Sequence, residues 1–465
     1  MKFLIKLKEY IKDRFSSIDN ENLTRSFLKS LPFWLAAFIS GGVAVLYANL
    51  FSLAEKGTRL IYEWYSWSFF IITPLCFVLA WWLADKYSPF ARGSGIPQVT
   101  AAINLTNSRS SKRVNSLLSI RVILVKVLSS LVMVFGGGVI GREGPTIQIS
   151  ASIFKKVNDF LPDWYPKISK RNMIVTGAAA GLAAAFNTPL GGIVFAIEEL
   201  TKTHFNLFKS ALLTGVIIAG LTALSFLGPY LYLGYPNLKG ITVGIIIMII
   251  PLALITGAAG SGMGKAILYL FKRKQALKTK SKKLLFLILS GLVIAALAIF
   301  LDERMFGSGK EIMITSLFTD NKELPWYMPI LRLFGPVISF STGASGGIFA
   351  PTLSAGASIG AVCANWFKMT SVETNLMILC GMTGCLTGVT RSPFTSSIIV
   401  LEMTDSHNVI FYIMLTAVLA NLIASSVSKK SFYDYLKDHY IDEIIKSEED
   451  TNGQSDEGAI AHKEL

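Results

Sequence analysis

Long apolar runs, separated by short polar segments, dominate this chain. The runs carry almost no charge and cover residues 31–54, 67–84, 208–234, 241–271, 284–301 and 409–428. A helix that crosses the hydrocarbon core of a bilayer needs about 20 consecutive apolar residues, and several of these runs reach that length. The pattern therefore predicts an all-α, polytopic membrane protein and argues against a soluble helical protein.

Three motifs that combine Gly with Pro interrupt the apolar sequence: Gly-Ser-Gly-Ile-Pro (93–97), Gly-Arg-Glu-Gly-Pro (141–145) and Gly-Gly-Ile-Phe-Ala-Pro (346–351). Gly permits unusual backbone angles and Pro suits the first turn of a helix, so each motif predicts a break followed by a helix N-terminus. Such breaks are tolerated in a membrane only inside the protein or beside a wet cavity. Free N–H groups at helix N-termini bind anions, and three of them would form a weak site for a small anion.

The membrane sequence also contains an internal repeat. The segment GREGPTIQISASI, which starts at Gly141, matches GIFAPTLSAGASI, which starts 206 residues later at Gly347. A second stretch matches at an offset of 204, pairing Gly177 with Gly381, Pro189 with Pro393 and Glu198 with Glu402. Duplicated halves are a transporter architecture with the substrate between the repeats. We expect halves at about 31–235 and 240–435, and the residues leave open whether they are parallel or inverted.

The composition supports a membrane protein, and the distribution of charge predicts its orientation. Charged residues make up only 16% of the 465 residues, against about 25% in soluble domains. The net charge of +14 comes from basic loops such as 272–283, which holds seven cations and no acid. Because cytoplasmic loops favour Lys and Arg, we expect a multi-pass protein of the plasma (inner) membrane with both termini cytoplasmic. The chain lacks an aromatic and basic groove for nucleic acid.

Three segments follow from these patterns. In residues 1–30, apolar residues are interleaved with Lys and Arg. This pattern predicts a basic amphipathic helix on the cytoplasmic membrane face. Residues 31–435 form the transmembrane transport domain. Residues 436–465 predict a short cytoplasmic tail that is partly disordered, because its end is polar and acidic.

Glu143 is the most informative single residue. It lies between Gly-rich stretches in apolar sequence, where an ionised side chain costs about 2.5–3.5 kcal/mol. Beside an anion site, an ionised carboxylate can occupy the place of the anion, and a protonated one must leave. This property would couple proton binding to anion binding. A structural pair with Arg142 is disfavoured, because adjacent residues rarely face each other on a helix.

A second acidic point follows at Glu198 and Glu199. Glu198 has a repeat mate in Glu402, and we interpret that pair as structural. Glu199 has no mate, since Met403 stands opposite. An unpaired acid at an aqueous helix end suits proton access, although a helix-end charge explains it equally well.

Other candidate side chains give weaker signals. Ser94 and Tyr433 could donate hydroxyl groups to an anion, but turn chemistry and interfacial tyrosines also account for them. The four cysteines lie in apolar runs without metal spacing, so we expect no metal and no cofactor. Ser94 has no His or Lys in its motif to activate it, so we do not expect an enzyme.

At these residues the sequence resembles the CLC family of chloride channels and chloride/proton antiporters. The three Gly/Pro motifs occur in the order of that family, and the stretches GAAAGLAAAFNTPLGGIVFAIEE and LEMTD also fit. The resemblance covers residues 30–435. It implies inverted halves, many tilted and broken helices, and a homodimer with one anion pathway in each subunit.

The resemblance also implies roles for individual residues. Ser94 and Tyr433 would contact chloride through their hydroxyl groups, and backbone N–H groups would come from the segments at Gly95, Ile96, Ile348 and Phe349. Glu143 would be the external gating glutamate and Glu199 the internal proton-transfer glutamate. Gln98 departs from the pattern, because many relatives carry an acid there.

We therefore expect a chloride/proton antiporter with chloride, protons and the lipid bilayer as its partners. A passive voltage- or pH-gated chloride channel of the same fold is the first alternative, since an acid near water does not prove proton coupling. A fluoride/proton exchanger is the second, although such members depart from the Gly-Ser-Gly motif and lack the tyrosine.

Overall fold

The protein is described by a computed structural model, which covers residues 21–106, 113–201, 209–227, 232–319 and 322–461. Helices dominate these residues, and two isolated β-bridges are the extended pairings among them. The helices are α1 (Glu21–Tyr65), α2 (Phe69–Tyr87), α3 (Ile96–Leu105), α4 (Val114–Leu117), α5 (Ile120–Phe135), α6 (Glu143–Asp159), α7 (Lys170–Phe186), α8 (Pro189–Phe195), α9 (Lys209–Leu227), α10 (Ile246–Gln275), α11 (Lys280–Phe300), α12 (Lys310–Phe318), α13 (Met328–Ser341), α14 (Phe349–Trp366), α15 (Ser371–Thr390), α16 (Pro393–Thr404), α17 (Ile410–Val427) and α18 (Phe432–Ala461). The predicted all-α fold is confirmed.

Several helical segments are long and apolar enough to cross a membrane. Among the described residues there are six, namely Phe27–Tyr87, Val114–Phe135, Val243–Gln275, Lys280–Phe300, Ser371–Thr390 and His407–Val427. Others are much shorter, such as α3, which follows the first Gly/Pro motif as predicted, and α8, which follows none of the three motifs. A multi-pass membrane protein is therefore confirmed, with half-length helices in its interior.

Both ends of the predicted transport domain fall inside helices. Helix α1 begins at Glu21 and passes through residue 31, with Pro32 in its interior; residues 1–20 of the predicted amphipathic segment lie outside the described residues. Neighbouring helices can satisfy the backbone groups that a proline frees, so the helix continues through it. Helix α18 crosses residue 435 and extends to Ala461, through residues that the sequence predicts to be partly disordered.

The repeat is visible as equivalent helices. Helices α6 and α14 begin at Glu143 and Phe349, which are related by the offset of 206. Helices α7 and α15 both end in a left-handed residue, Asn187 with φ 57° and Arg391 with φ 63°, at the offset of 204. These matched ends show that the sequence repeat is a structural repeat.

Small residues allow the helices of the second half to pack closely. A Cβ on Gly381 of α15 would lie 2.2 Å from the carbonyl oxygen of Gly356 of α14, and a Cβ on Gly356 would lie 2.2 Å from that of Gly381. The backbones touch at this crossing. The largest buried apolar cluster then continues to the first half and to α18, and it contains Phe186, Phe349 and Tyr433.

Candidate anion site and proton path

Backbone hydrogen bonds join the three Gly/Pro motifs to one another. Gly141 and Gly347 are paired antiparallel, with N–H to O distances of 2.8 and 2.7 Å in the two directions. Gly93 donates to the carbonyl oxygen of Ala344 at 2.9 Å and accepts from the N–H of Gly346 at 3.1 Å. Helices α3, α6 and α14 begin two residues or so beyond these pairs. Three helix N-termini are therefore held close together, as the motifs predict.

Glycine is required where the first two motifs touch. Gly93 and Gly95 have φ values of 65° and 110°. L-residues that carry a side chain rarely adopt these backbone angles. A Cβ on Gly144 would lie 2.2 Å from Ser94 Oγ. The start of α6 thus packs directly on the Ser94 hydroxyl, and this contact fixes where that hydroxyl lies.

The hydroxyl groups of Ser94 and Tyr433 have no hydrogen-bond partner among the described residues, although the side chains are 1% and 2% exposed. The two groups are neighbours. The Tyr433 ring lies 5.9 Å from the ring of Phe349 at the start of α14. A buried polar group left without a partner costs about 1–3 kcal/mol, so two such groups side by side indicate a place for a ligand that accepts hydrogen bonds.

The Glu143 carboxylate is fully buried at the first position of α6. Its Oε1 accepts from the Tyr232 hydroxyl at 3.3 Å, and its Oε2 has no hydrogen-bond partner among the described residues. The backbone N–H groups of Glu143 itself and of Ala350 in α14 act on this carboxylate. The carboxylate therefore lies against two helix N-termini, where their dipoles favour negative charge.

Glu199 lies in a π-helical turn, Ala196–Thr201, and is 5% exposed. Its Oε2 accepts from the Ser392 hydroxyl at 2.8 Å. Glu199, Phe349 and Tyr433 border the same small gap between side chains, and Tyr433 is within electrostatic range of both Glu143 and Glu199. The two acids that the sequence singled out are therefore both close to the tyrosine.

Glu198 and Glu402 have a different task. Glu198 accepts from the N–H groups of Phe394 and Thr395 at the start of α16, at 3.2 and 2.7 Å. Glu402, on α16, accepts in return from the N–H groups of Leu190 and Gly191 at the start of α8, at 3.0 and 2.7 Å. Each repeat caps a helix of the other, which agrees with the structural interpretation of this pair.

Three residues of the site were not predicted. Lys126 is fully buried on α5, and its Nζ donates to the carbonyl oxygen of Gly93 at 2.9 Å; a lysine inside the apolar segment ILVKVLSS was an available signal. Tyr232 and Ser392, which donate to the two acids, stand in no distinctive motif. Gln98, the predicted departure, donates to the carbonyl oxygen of Arg92 at 2.6 Å, so it holds the segment before the first break.

This fold and this arrangement of helix N-termini define an α-helical membrane transport protein built from two repeats. A model of the voltage-gated chloride channel family matches residues 76–425. The H(+)/Cl(-) exchange transporter ClcA of Cronobacter sakazakii is 31% identical over 382 residues, which are 80% of this chain and 79% of that protein. The protein of the same name in Citrobacter koseri is 31% identical over 373 residues, 78% of this chain and 77% of the relative. The chain therefore belongs to the voltage-gated chloride channel family, the CLC family.

Solved structures of that family share the fold. A slow cyanobacterial Cl-/H+ antiporter superposes with a TM-score of 0.78 at 23% identity, covering 89% of this chain and 98% of the other. A CLC-type fluoride/proton antiporter superposes with a TM-score of 0.74 at 20% identity, with coverage of 89% and 98%. The polytopic all-α architecture predicted from the apolar runs is thus confirmed by independent structures.

Proposed function

We propose that this protein exchanges chloride for protons across the membrane. The observation that carries the proposal is the presence of two buried glutamates, Glu143 and Glu199, that both act on Tyr433, whose hydroxyl group and that of Ser94 have no partner among the described residues. An anion channel needs a site for the anion, whereas an exchanger also needs groups that carry protons on both sides of it. The relatives named as H(+)/Cl(-) exchange transporters support the same function.

Chloride would be held by neutral groups. Ser94 and Tyr433 would donate their hydroxyl groups, and the helix starts at Gly95, Ile96, Ile348 and Phe349 would contribute backbone N–H groups. Lys126 would hold the carbonyl oxygen of Gly93 in place through its Nζ without touching the ion. Such a site binds an anion favourably and still lets it leave, as conduction requires.

Glu143 would couple the two ions. In its ionised form it competes with chloride for the N-termini of α6 and α14. Protonation removes the attraction to those dipoles, so the side chain withdraws and chloride enters. Glu199, which borders the same small gap as Tyr433, would supply or accept the proton on the opposite side.

The remaining parts of the proposal concern assembly and orientation. We propose a homodimer in the plasma (inner) membrane, with both termini cytoplasmic, Glu143 on the external side and Glu199 on the internal side. The transport domain would span residues 31–435, with inverted halves at about 31–235 and 240–435. No catalytic reaction is part of this function.

Proton movement in liposomes tests the proposal. Purified protein is reconstituted under a chloride gradient, with the voltage clamped near zero by potassium and valinomycin, and both chloride and pH are followed. An exchanger drives protons uphill while chloride flows, and Glu143→Ala abolishes the proton movement while chloride flux persists. Chloride flux without uphill proton movement in the parent protein would replace exchange by the passive channel. Uphill proton movement driven by fluoride but not by chloride would favour the fluoride exchanger.

A further inference from the structure

Tyr232 is anchored in the interior beside Glu143. The residue is 3% exposed, and the next backbone N–H, that of Leu233, donates to the carbonyl oxygen of Met403 at 3.2 Å. The Tyr232 ring makes an edge contact with the ring of Phe186, with 5.1 Å between the ring centroids. These contacts leave the hydroxyl directed at Glu143 Oε1, 3.3 Å away.

A cation also contacts the Tyr232 ring. Lys310 Nζ is 4.3 Å from the centroid of the Tyr232 ring, within the range of a cation–π interaction. Lys310 is the first residue of α12, directly after Gly309, whose φ of 81° turns the chain at this point. It also lines a cavity together with Glu55, Arg59 and Glu311.

We propose that Tyr232, clamped by Lys310, is a positioning residue that holds the ionised Glu143 carboxylate in the anion pathway and so sets the pH at which the pathway opens. This inference rests on the proposed role of Glu143 as the gate. The phenolic O–H donates to an ionised carboxylate, and such charge-assisted hydrogen bonds are the stronger ones. Withdrawal of Glu143 breaks the bond, so the bond opposes opening.

Other groups face Glu143 from the elements packed around it. Arg142 precedes it on the chain, Tyr47 of α1 and Tyr433 of α18 are within electrostatic range, and Lys310 approaches from α12. The two cations favour the ionised carboxylate, as Tyr232 does. Of these residues, Tyr232 is the one whose side chain donates a hydrogen bond to the carboxylate. Removing its hydroxyl therefore separates the effect of the Tyr232–Glu143 hydrogen bond, called the latch below, from that of the background charge.

The decisive variant is Tyr232→Phe, which keeps the ring contacts with Phe186 and Lys310. Chloride flux is measured in liposomes as a function of pH and of chloride concentration. The free energy of a hydrogen bond to a charged group is equivalent to a shift of about one pH unit in the titration of that group. We expect half-maximal chloride flux to move to higher pH by about one unit, and the apparent affinity for chloride to rise severalfold, because the anion competes with a less firmly held carboxylate.

Two controls separate this role from a general loss of structure. Tyr62→Phe removes a phenol that lines the same cavity but donates to the carbonyl oxygen of Ala298 at 3.2 Å, and it should leave the pH profile unchanged. In a Glu143→Gln background, Tyr232→Phe should have no further effect on the pH profile. If Tyr232→Phe fails to fold, Lys310→Met serves instead, and it should move the profile in the same direction.

The outcomes are distinct. A Tyr232→Phe profile that coincides with that of Tyr62→Phe, or a shift that persists without the Glu143 carboxylate, overturns the latch. Because the test uses chloride flux, it stands even if the parent protein proves to be a channel without proton coupling. Failure of exchange and failure of the latch are therefore read from different measurements.

Discussion

Two adjacent glutamates, Glu198 and Glu199, should respond in opposite ways to the same substitution. Glu198 receives three hydrogen bonds at the start of α16, from the N–H groups of Phe394 and Thr395 and from the Thr395 hydroxyl at 2.7 Å. Glu199 accepts a hydrogen bond from the Ser392 hydroxyl and lies beside Tyr433 at a small gap. We expect Glu198→Gln to lower stability and keep proton coupling, and Glu199→Gln to abolish coupling and keep stability.

The magnitude for Glu198 follows from its contacts. Replacing a capping side chain costs about 0.5–2 kcal/mol, and a glutamine keeps one acceptor oxygen of the two that the carboxylate offers. A loss of about 1–2 kcal/mol is therefore expected. Since 1 kcal/mol shifts the midpoint by about 2–4 °C in a domain of 150–250 residues, the decrease in this longer chain should be a few degrees at most.

The expected loss for Glu199 is one of function alone. A glutamine has nearly the same shape and can still accept from Ser392, but it cannot carry a proton at any accessible pH. Chloride flux should continue, whereas uphill proton movement should fall to the background of protein-free liposomes. The substitution changes no helix cap, so the midpoint of thermal unfolding should remain within about 1 °C of the parent.

The assay combines proton and chloride fluxes in liposomes with thermal unfolding in detergent, for both variants. Glu402→Gln is the matched control, because Glu402 caps α8 with two hydrogen bonds in the equivalent position of the other repeat. It should behave like Glu198→Gln. Loss of proton coupling in Glu198→Gln without a loss of stability, or full coupling in Glu199→Gln, would refute the assignment of these roles.

Three further predictions concern packing and pH. Gly144→Ala places a Cβ 2.2 Å from Ser94 Oγ and should reduce chloride flux roughly tenfold or more through the displaced hydroxyl, which an unchanged flux would contradict. Gly381→Ala forces a Cβ to 2.2 Å from a carbonyl oxygen of α14 and should destabilise the protein by about 1–3 kcal/mol, whereas Gly42→Ala, with nothing within 4 Å, should not lower the unfolding midpoint. Burial against Phe271 lowers the pKa of His439 on α18, so docking of this helix should be complete above the ordinary pKa of about 6.5 and weaken as the pH falls through it. We therefore expect a protease to cleave the C-terminal tail faster at about pH 5.5 than at pH 7.5. The substitution His439→Gln should remove this difference.

Much of the architecture follows from local sequence. The apolar runs predict the membrane-spanning helices, and the Gly/Pro motifs predict where α3, α6 and α14 begin, because both signals act within a few residues. The ends of the transport domain are different. Helix α1 passes through Pro32 and α18 crosses residue 435, because helix continuation there depends on neighbouring helices and not on the local pattern.

The partners of the acids are beyond a sequence prediction for a related reason. Tyr232 is 89 residues from Glu143, and Ser392 is 193 residues from Glu199. Each is an ordinary polar residue next to a turn, with no motif around it. Their importance arises from long-range packing, which the alternation of apolar and polar positions does not encode. Lys126 is intermediate, because its position in an apolar run is unusual although its contact with Gly93 is not predictable.

The repeat itself separates structural residues from functional ones. Positions that keep their residue in both halves support the fold: Gly141 pairs with Gly347, and Glu198 and Glu402 cap each other's helices. The two buried acids have lost this equivalence, because Phe349 stands opposite Glu143 and Met403 opposite Glu199. A perfectly symmetric pathway would present the same groups to both sides of the membrane, so an acid on one side would have an identical acid on the other. Two different acids in different settings, one against helix N-termini and one beside Tyr433, would give the proton of the proposed exchange a route with distinguishable ends.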